Sequence, residues 1–441
     1  MNKHTTKTAI LQDLFSHLEA NVLKKSNFIK RRRKITVEKW LEAGLNWVAT
    51  SVVTLSTFVF QLTLLGIKIS RQALHKHFNE DCVNFLKSLL EKTLEKLVLE
   101  SCFTQPALFQ KFNHVFIGDC TSVPLSSYFA EKYPGCGGSD GKTGKAGLKW
   151  FLRMDAASGE IETLKYDSAR TSDHKFINEA PPLPDGSLEL LDMGFYTFDR
   201  LRKLSITNRF FITRVQTLTI IWVNGRKMTL PEFFLNKGKK NIDILCEVGQ
   251  SRLPVRLVAK PAPKDVVRKR LLRLAIGGVK RNRTVSERQK SCAYWTFYIT
   301  NIPQTRCSID EIFILYGVRW QIELVFKLWK SEAGFGKSGA KTTCRSLCEQ
   351  LLQMIHILIS HWLVIQEFPH MSACSPTLLY RCLRKFLPEL LSSILAQTLN
   401  KTKNILAKIS RYLASTPTRA NCQKAPYTLK KLEREYTHGL S

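Results

Sequence analysis

Tyr316-Gly-Val-Arg-Trp-Gln-Ile-Glu-Leu-Val-Phe-Lys-Leu-Trp-Lys330 is the stretch around which the rest of the chain is organised. At about 100° per residue, Tyr316, Arg319, Glu323 and Lys330 fall within roughly 60° of helix circumference. Ile314, Val318, Ile322, Val325 and Trp329 project from a different side, so a helix here can bury one face and hold the polar stripe towards a site. Ser308, three residues before Glu311, supplies a capping box for its start, and Gly334 with Gly336 a stop. A carboxylate between cations on a half-buried helix suits holding a metal beside a phosphate. The plainer alternative is a solvated face, in which Arg319 and Glu323 form an i,i+4 pair worth about a few tenths of a kcal/mol.

The charge balance bears on the choice. In 441 residues, 67 Lys and Arg stand against 36 Asp and Glu, a net charge of +31. Such an excess repels itself in a compact protein unless a polyanion neutralises part of it, which points to nucleic acid, with an anionic membrane surface as the competitor. At 44% hydrophobic residues the chain reads as globular and long enough for two to four domains. The uncharged run Ala43 to Ile67 has the length of a membrane span. It contains Asn46, Gln61 and six hydroxyl residues, which suits a buried helical pair of a soluble protein better than lipid. The N-terminus opens with charged and polar residues and reads as no signal peptide. Twelve scattered Cys without a C-x-x-C pair read as reduced cytosolic thiols.

Tyr-x2-Arg-x3-Glu-x6-Lys resembles the signature of DDE transposases of the insertion-sequence-four family, with all four residues at the family spacing. The flanking Arg-Trp-Gln-Ile-Glu and Phe-Lys-x-x-Lys-Ser resemble that family as well. The resemblance covers Asp119 to Lys330 best.

In chain order, residues 1 to about 105 read as helices: Leu11, Leu14, Leu18 and Val22 at helical spacing, a basic run Lys30 to Lys34, and a long amphipathic helix through Leu86 to Val98. Ser70 caps a short helix presenting Arg71, His75 and Lys76, as the second helix of a helix-turn-helix would; a plain surface helix is the alternative. Strands follow. His114 to Asp119 ends in an acid, Gly147 to Asp155 and Gly159 to Lys165 read as a hairpin, and Ser187 to Asp192 ends in a second acid. The Gly- and Lys-rich segment 135 to 147 reads as a mobile loop and lacks P-loop spacing. A helix is expected near Phe198 to Leu204. Arg209 to Arg214, Leu218 to Val223, Arg226 to Leu230, Ile242 to Val248 and Leu253 to Lys260 read as strands, with Asn224-Gly225 a hairpin turn, before a basic helix from Val266 to Leu274. Ala293 to Asn301 feeds the signature helix. Beyond about residue 345 the chain is helical, with an apolar stripe of Leu351, Leu352, Ile355, Leu358, Ile359 and Trp362.

Two strands ending in Asp with a hairpin between them resemble a ribonuclease-H-like core. The resemblance implies an α/β fold in which that core is interrupted by a β-rich insertion and flanked by helical regions. The divisions expected are 1–105 (DNA binding), 106–212 and 293–345 (the two halves of the core), 213–292 (insertion) and 346–441 (helical). It implies Asp119, Asp192 and Glu323 as catalytic carboxylates holding two Mg²⁺ ions, or Mn²⁺, for in-line phosphoryl transfer. Asp155, Asp173 and Asp199 are the local rivals. Tyr316, Arg319 and Lys330 would contact phosphates, and Trp295, or Trp222, would stack on a flipped base, with core packing as the alternative for each. The function implied is a cut-and-paste DNA transposase acting on terminal inverted repeats, as a homodimer in synapsis, in the bacterial cytosol at the nucleoid. A nuclease of the same fold that cuts without joining, and a non-catalytic basic DNA-binding protein, are the alternatives.

Overall fold

The computed structural model describes residues 35–50, 53–97 and 107–136, residues 145–367 save positions 236, 239, 281, 283 and 337, and residues 376–415 save 397. The N-terminal apolar repeat, the basic run Lys30 to Lys34 and most of the Gly- and Lys-rich loop lie outside these. The uncharged run folds as the expected helical pair, α1 (Val37–Val48) and α2 (Leu55–Leu64). Thr36 accepts from the Lys39 amide to start α1, and Thr54 with Thr57 forms a capping box for α2. Trp47 stacks on Phe58 at 4.6 Å, so the pair is held by aromatic packing. Among the described residues, no helix is long and apolar enough to cross a membrane. Ser70 caps α3 as expected, but α3 (Arg71–His75) is a single short turn before α4 (Glu80–Leu97).

Ten strands form one sheet. Its first half is built from β1 (Val115–Leu125), β2 (Ala146–Asp155), β3 (Ile161–Ser168), α5 (Asp173–Glu179), β4 (Leu188–Leu191), α6 (Phe198–Ile206) and β5 (Phe210–Thr213). Then come β6 (Ile220–Val223), β7 (Arg226–Thr229), α7 (Leu230–Leu235), β8 (Ile242–Val248), β9 (Leu253–Pro261), α8 (Lys264–Lys280), α9 (Glu287–Ser291) and β10 (Trp295–Thr300). The strand order is β3-β2-β1-β4-β5-β10-β9-β8-β6-β7. β1 to β3 are an antiparallel meander, whereas β4 and β5 run parallel to β1. The residues between β5 and β10 were expected to interrupt the core; their strands extend the same sheet beyond β10. Asn224 and Gly225 take φ of 50° and 76°, the paired left-handed conformation a two-residue hairpin turn demands.

Alternation along the strands divides the interior into two cores. Val115 and Ile117 of β1 face one, and Phe116 faces the other. The first core also receives α10 (Ile309–Val318), α11 (Trp320–Ser331), α12 (Thr343–Glu367), α13 (Pro376–Leu395) and α14 (Leu399–Ser415). The apolar stripe from Leu351 to Trp362 is buried there.

One buried charge cluster pins β4. Glu189 takes both Arg200 nitrogens at 2.7 to 3.1 Å, and Arg153 lies 3.7 Å away while bonding Glu162 and the Pro181 carbonyl. Glu189 and Arg153 are each 1% exposed at the side chain, so these charges are stable only as a set.

Candidate active site

The pairing of two parallel strands levels the two aspartates. Val115 pairs with Leu188 and Ile117 with Leu190, and the same register carried two residues on brings Asp119 opposite Asp192. Neighbouring strands lie about 4.8 Å apart, and residues at one level point to one face. Asp119 has the parity of Val115 and Ile117, and Asp192 that of Leu188 and Leu190, so both face the first core and its helices. Asp192 directly follows the end of β4, as expected, and opens a turn closed by the Phe195 amide on its carbonyl. Asp119 was expected at a strand end; β1 instead runs on to Leu125, with Asp119 in its middle. The strand continues because β2 pairs it all the way to Ala146.

Glu323 arrives on the signature helix, which starts at the expected Ser308–Glu311 capping box and ends before Gly334 and Gly336, both with left-handed φ. The helix is not one rigid rod. α10 and α11 meet at Arg319, whose amide bonds Tyr316 three residues back instead of four, tightening the turn there. Tyr316 is 7% exposed, stacks near Tyr298 and donates its hydroxyl to the Leu191 carbonyl, the residue before Asp192. Burial pushes its phenol well above the ordinary range. Lys330 donates to the Ser122 carbonyl, fastening the far end of α11 to β1.

Arg319 lies among the acids. Its Nη2 donates to Glu323 Oε1 at 2.6 Å, and its Nη1 is 3.9 Å from Asp119 Oδ2. Asp192 is within electrostatic reach of both Asp119 and Arg319. Burial, above all, pushes the Asp119 carboxyl up to about 6; the Cys120 amide and Arg319 pull it down, and Asp192 and Glu323 push it further up. Burial opposes the charge on Arg319, yet Tyr316, Asp192 and Glu323 more than offset it.

The chemistry of this donor set fits a hard divalent cation. All three groups offer oxygen only, and their negative charge exceeds what one guanidinium balances. Among the described residues, no three metal-binding side chains converge closely enough to grip an ion as placed. The Arg319 guanidinium reaches both Asp119 and Glu323.

The rival acids lie elsewhere. Asp155 sits in the β2–β3 turn, bonded to His114 and to the amides of Ala157 and Ser158. Asp173 pairs with Lys149 at 2.9 Å and abuts Cys120 and Gly194, on the face of the sheet opposite to Asp119. Asp199 is exposed in the first turn of α6. Trp295 is 4% exposed and stacked on Phe234, so as placed it is a core side chain. Trp222 is half-buried, with Arg252 and Lys227 over its ring. Backbone acceptors were missed by sequence reasoning: the Leu191 and Ser122 carbonyls that hold Tyr316 and Lys330 leave no residue-type signal.

A net charge of +31 calls for a polyanionic partner, and the signature helix sets Arg319 beside Asp119 and Glu323, as an enzyme that works on nucleic acid strands would need. The chain belongs to the DDE transposase family: the family described as "Transposase DDE domain" matches residues 110–363, more than half of its length. It is 28% identical over 334 residues to the transposase for insertion sequence element IS231F of Bacillus thuringiensis subsp. israelensis, covering 69% of this chain and 68% of the relative. It is 26% identical to the IS231E transposase of B. thuringiensis subsp. finitimus, over 73% of this chain and 72% of the relative. To the IS1151 transposase of Clostridium perfringens it is 25% identical, over 80% and 79%. The protein is a DNA transposase of the insertion-sequence type.

Proposed function

We propose that Asp119, Asp192 and Glu323 are the catalytic carboxylates of cut-and-paste transposition, and that they hold two Mg²⁺ ions, or Mn²⁺, at the ends of the element. What carries this is the register of β1 and β4, which, carried two residues past its last pair, sets Asp119 level with Asp192, together with Arg319, which reaches both Asp119 and Glu323. When bound, the ions supply activation of water or a 3′-hydroxyl and stabilisation of the leaving oxygen. The chain's own part is positional. Tyr316 holds the turn that carries Asp192, and Lys330 joins the signature helix to β1 and keeps a charge at the cleft's edge. Arg319, a planar fork, can take two oxygens of a phosphate once it leaves Glu323.

The order β3-β2-β1-β4-β5, antiparallel then parallel, supports a ribonuclease-H-like core, with residues 213–292 as the insertion. In this reading the exposed Arg268, Lys269 and Arg273 of α8 and the exposed Arg71 and Lys76 meet DNA phosphates. Trp222, with its surface position, suits base stacking better than Trp295. The enzyme acts on terminal inverted repeats as a synaptic dimer, in the bacterial cytosol at the nucleoid.

The test is Mg²⁺-dependent cleavage and joining of the element's own terminal DNA by the native protein and by Glu323→Ala. The variant is expected to bind the ends and neither cut nor join. Equal activity in both proteins would remove Glu323 from the site, and cleavage without joining by the native protein would make it a nuclease of the same fold.

A further inference from the structure

The position of Arg319 goes beyond a phosphate contact. Its guanidinium bridges a strand acid and a helix acid, with Nη2 at 2.6 Å from Glu323 Oε1 and Nη1 at 3.9 Å from Asp119 Oδ2. Those carboxylate oxygens are the ones a divalent cation would need. A small hard cation takes carboxylate oxygens at about 2.0–2.6 Å and draws them together around one centre. A guanidinium is a wide planar fork that leaves its two partners on opposite edges. A cation that draws Glu323 Oε1 and Asp119 Oδ2 to one centre therefore has to displace the guanidinium that now reaches both.

We infer that Arg319 competes with the divalent cation for Glu323 and Asp119, so that loading the site requires the guanidinium to leave Glu323. This rests on the reading of Asp119, Asp192 and Glu323 as the cation ligands. Arg319 cannot settle the contest by losing its proton, because a guanidinium stays charged at any pH the fold survives. It has to move. The place of Arg319 in the chain allows that: it stands at the joint between α10 and α11, where the hydrogen-bond ladder shortens, and its side chain is 12% exposed at the edge of the cleft. Lys330 is the contrasting cation. It belongs to the same stripe, but its nitrogen is engaged by the Ser122 carbonyl and not by an acid. Arg319 is therefore a positioning residue with two successive partners, a carboxylate before the cation and a phosphate oxygen after it.

The experiment measures Mn²⁺ binding to the full-length, DNA-free protein by the electron paramagnetic resonance signal of free Mn²⁺. Four proteins are compared: native, Glu323→Ala, Arg319→Gln and Lys330→Gln. Competition predicts that Arg319→Gln binds Mn²⁺ roughly tenfold tighter or more, the equivalent of one charge-assisted hydrogen bond relieved. Lys330→Gln should change affinity by no more than about twofold, the scale of a screened surface charge. A merely damaged site would bind more weakly, so tightening separates competition from misfolding. Arg319→Gln with unchanged or weaker binding overturns the inference, and so does equal tightening in both Gln variants, which would reduce the effect to general repulsion. If Glu323→Ala binds Mn²⁺ as well as the native protein, the ligand assignment itself has failed. If that variant loses binding while Arg319→Gln gains none, the assignment stands and the competition does not.

Discussion

The Tyr316 hydroxyl donates to the Leu191 carbonyl at 3.2 Å, across 125 residues of chain, one residue before Asp192. That bond ties α10, which leads into the helix carrying Glu323, to the turn carrying Asp192. Tyr316→Phe keeps the packing on Tyr298 and removes the bond, at a cost of about 0.5–1.5 kcal/mol. Terminal-DNA cleavage is expected to slow by roughly tenfold with DNA affinity unchanged. A gel-shift titration that instead shows lost DNA binding would place the hydroxyl on a phosphate.

Glu189 is the hub of a buried charge set, with Arg200 bonded to it and Arg153 at 3.7 Å. Glu189→Ala takes the carboxylate from Arg200, while Arg153 keeps Glu162, and breaking a buried pair costs about 3–5 kcal/mol. Chemical denaturation should show the loss directly. A change under about 1 kcal/mol would mean that water reaches the cluster.

Gly336 has φ of 85°, and a Cβ there would lie 2.6 Å from Val123 Cγ1. Gly336→Ala is expected to lower stability by about 1–3 kcal/mol from backbone strain, with the clash in addition. Adding Val123→Ala removes the Cγ1 contact but keeps Val123 Cβ at 2.9 Å, so it should recover part of the clash and none of the strain. Full recovery in the double variant, read as melting temperature, would show that the backbone conformation costs nothing.

His356 is buried, its Nε2 has no hydrogen-bond partner, and burial first, with Arg384 second, depresses it to about 4. Its folded value lies below the unfolded one of about 6.5, so the unfolded chain takes up the proton first as pH falls. The stability tied to neutral His356 is complete above pH 6.5 and is lost between there and pH 4, on the order of 3 kcal/mol in total. Glu160, raised to about 7 mainly by burial, works in the opposite sense, so the comparison must be between the native protein and His356→Leu. Melting curves from pH 7.5 to 4 should fall less steeply in the variant; parallel curves would show that His356 does not titrate during unfolding.

The signature helix was legible because its stripe, cap and stop are all side-chain or glycine signals, and Ser308, Glu311, Gly334 and Gly336 act as their types predict. The position of Asp192 was legible as an apolar run ending in Asp, since β4 stops one residue before it. The length of β1 past Asp119 was not, because Cys120 to Leu125 continues only through its partner β2, and pairing across a sheet is not a local property. The joint at Arg319 was hidden for a similar reason: its amide bonds Tyr316, and no residue type there announces a shortened turn. Extension of the sheet by β6 to β9 was also beyond reach, since an interrupted core and a prolonged one present the same succession of strands. Glu189 looked like one polar residue in an apolar run, and only the fold brings Arg153 and Arg200 to it.

With Asp119 and Asp192 as the catalytic pair proposed above, the parallel register of β1 and β4 would also decide which copies of such a gene stay functional. Loss of one codon within Leu188–Leu191 would slide Asp192 off the level of Asp119 and turn its side chain to the other face of the sheet. The protein would keep nearly its whole composition, its basic surfaces and its signature helix, and would have lost its paired aspartates. On the proposed assignment, damage that preserves the reading frame would therefore still be inactivating there.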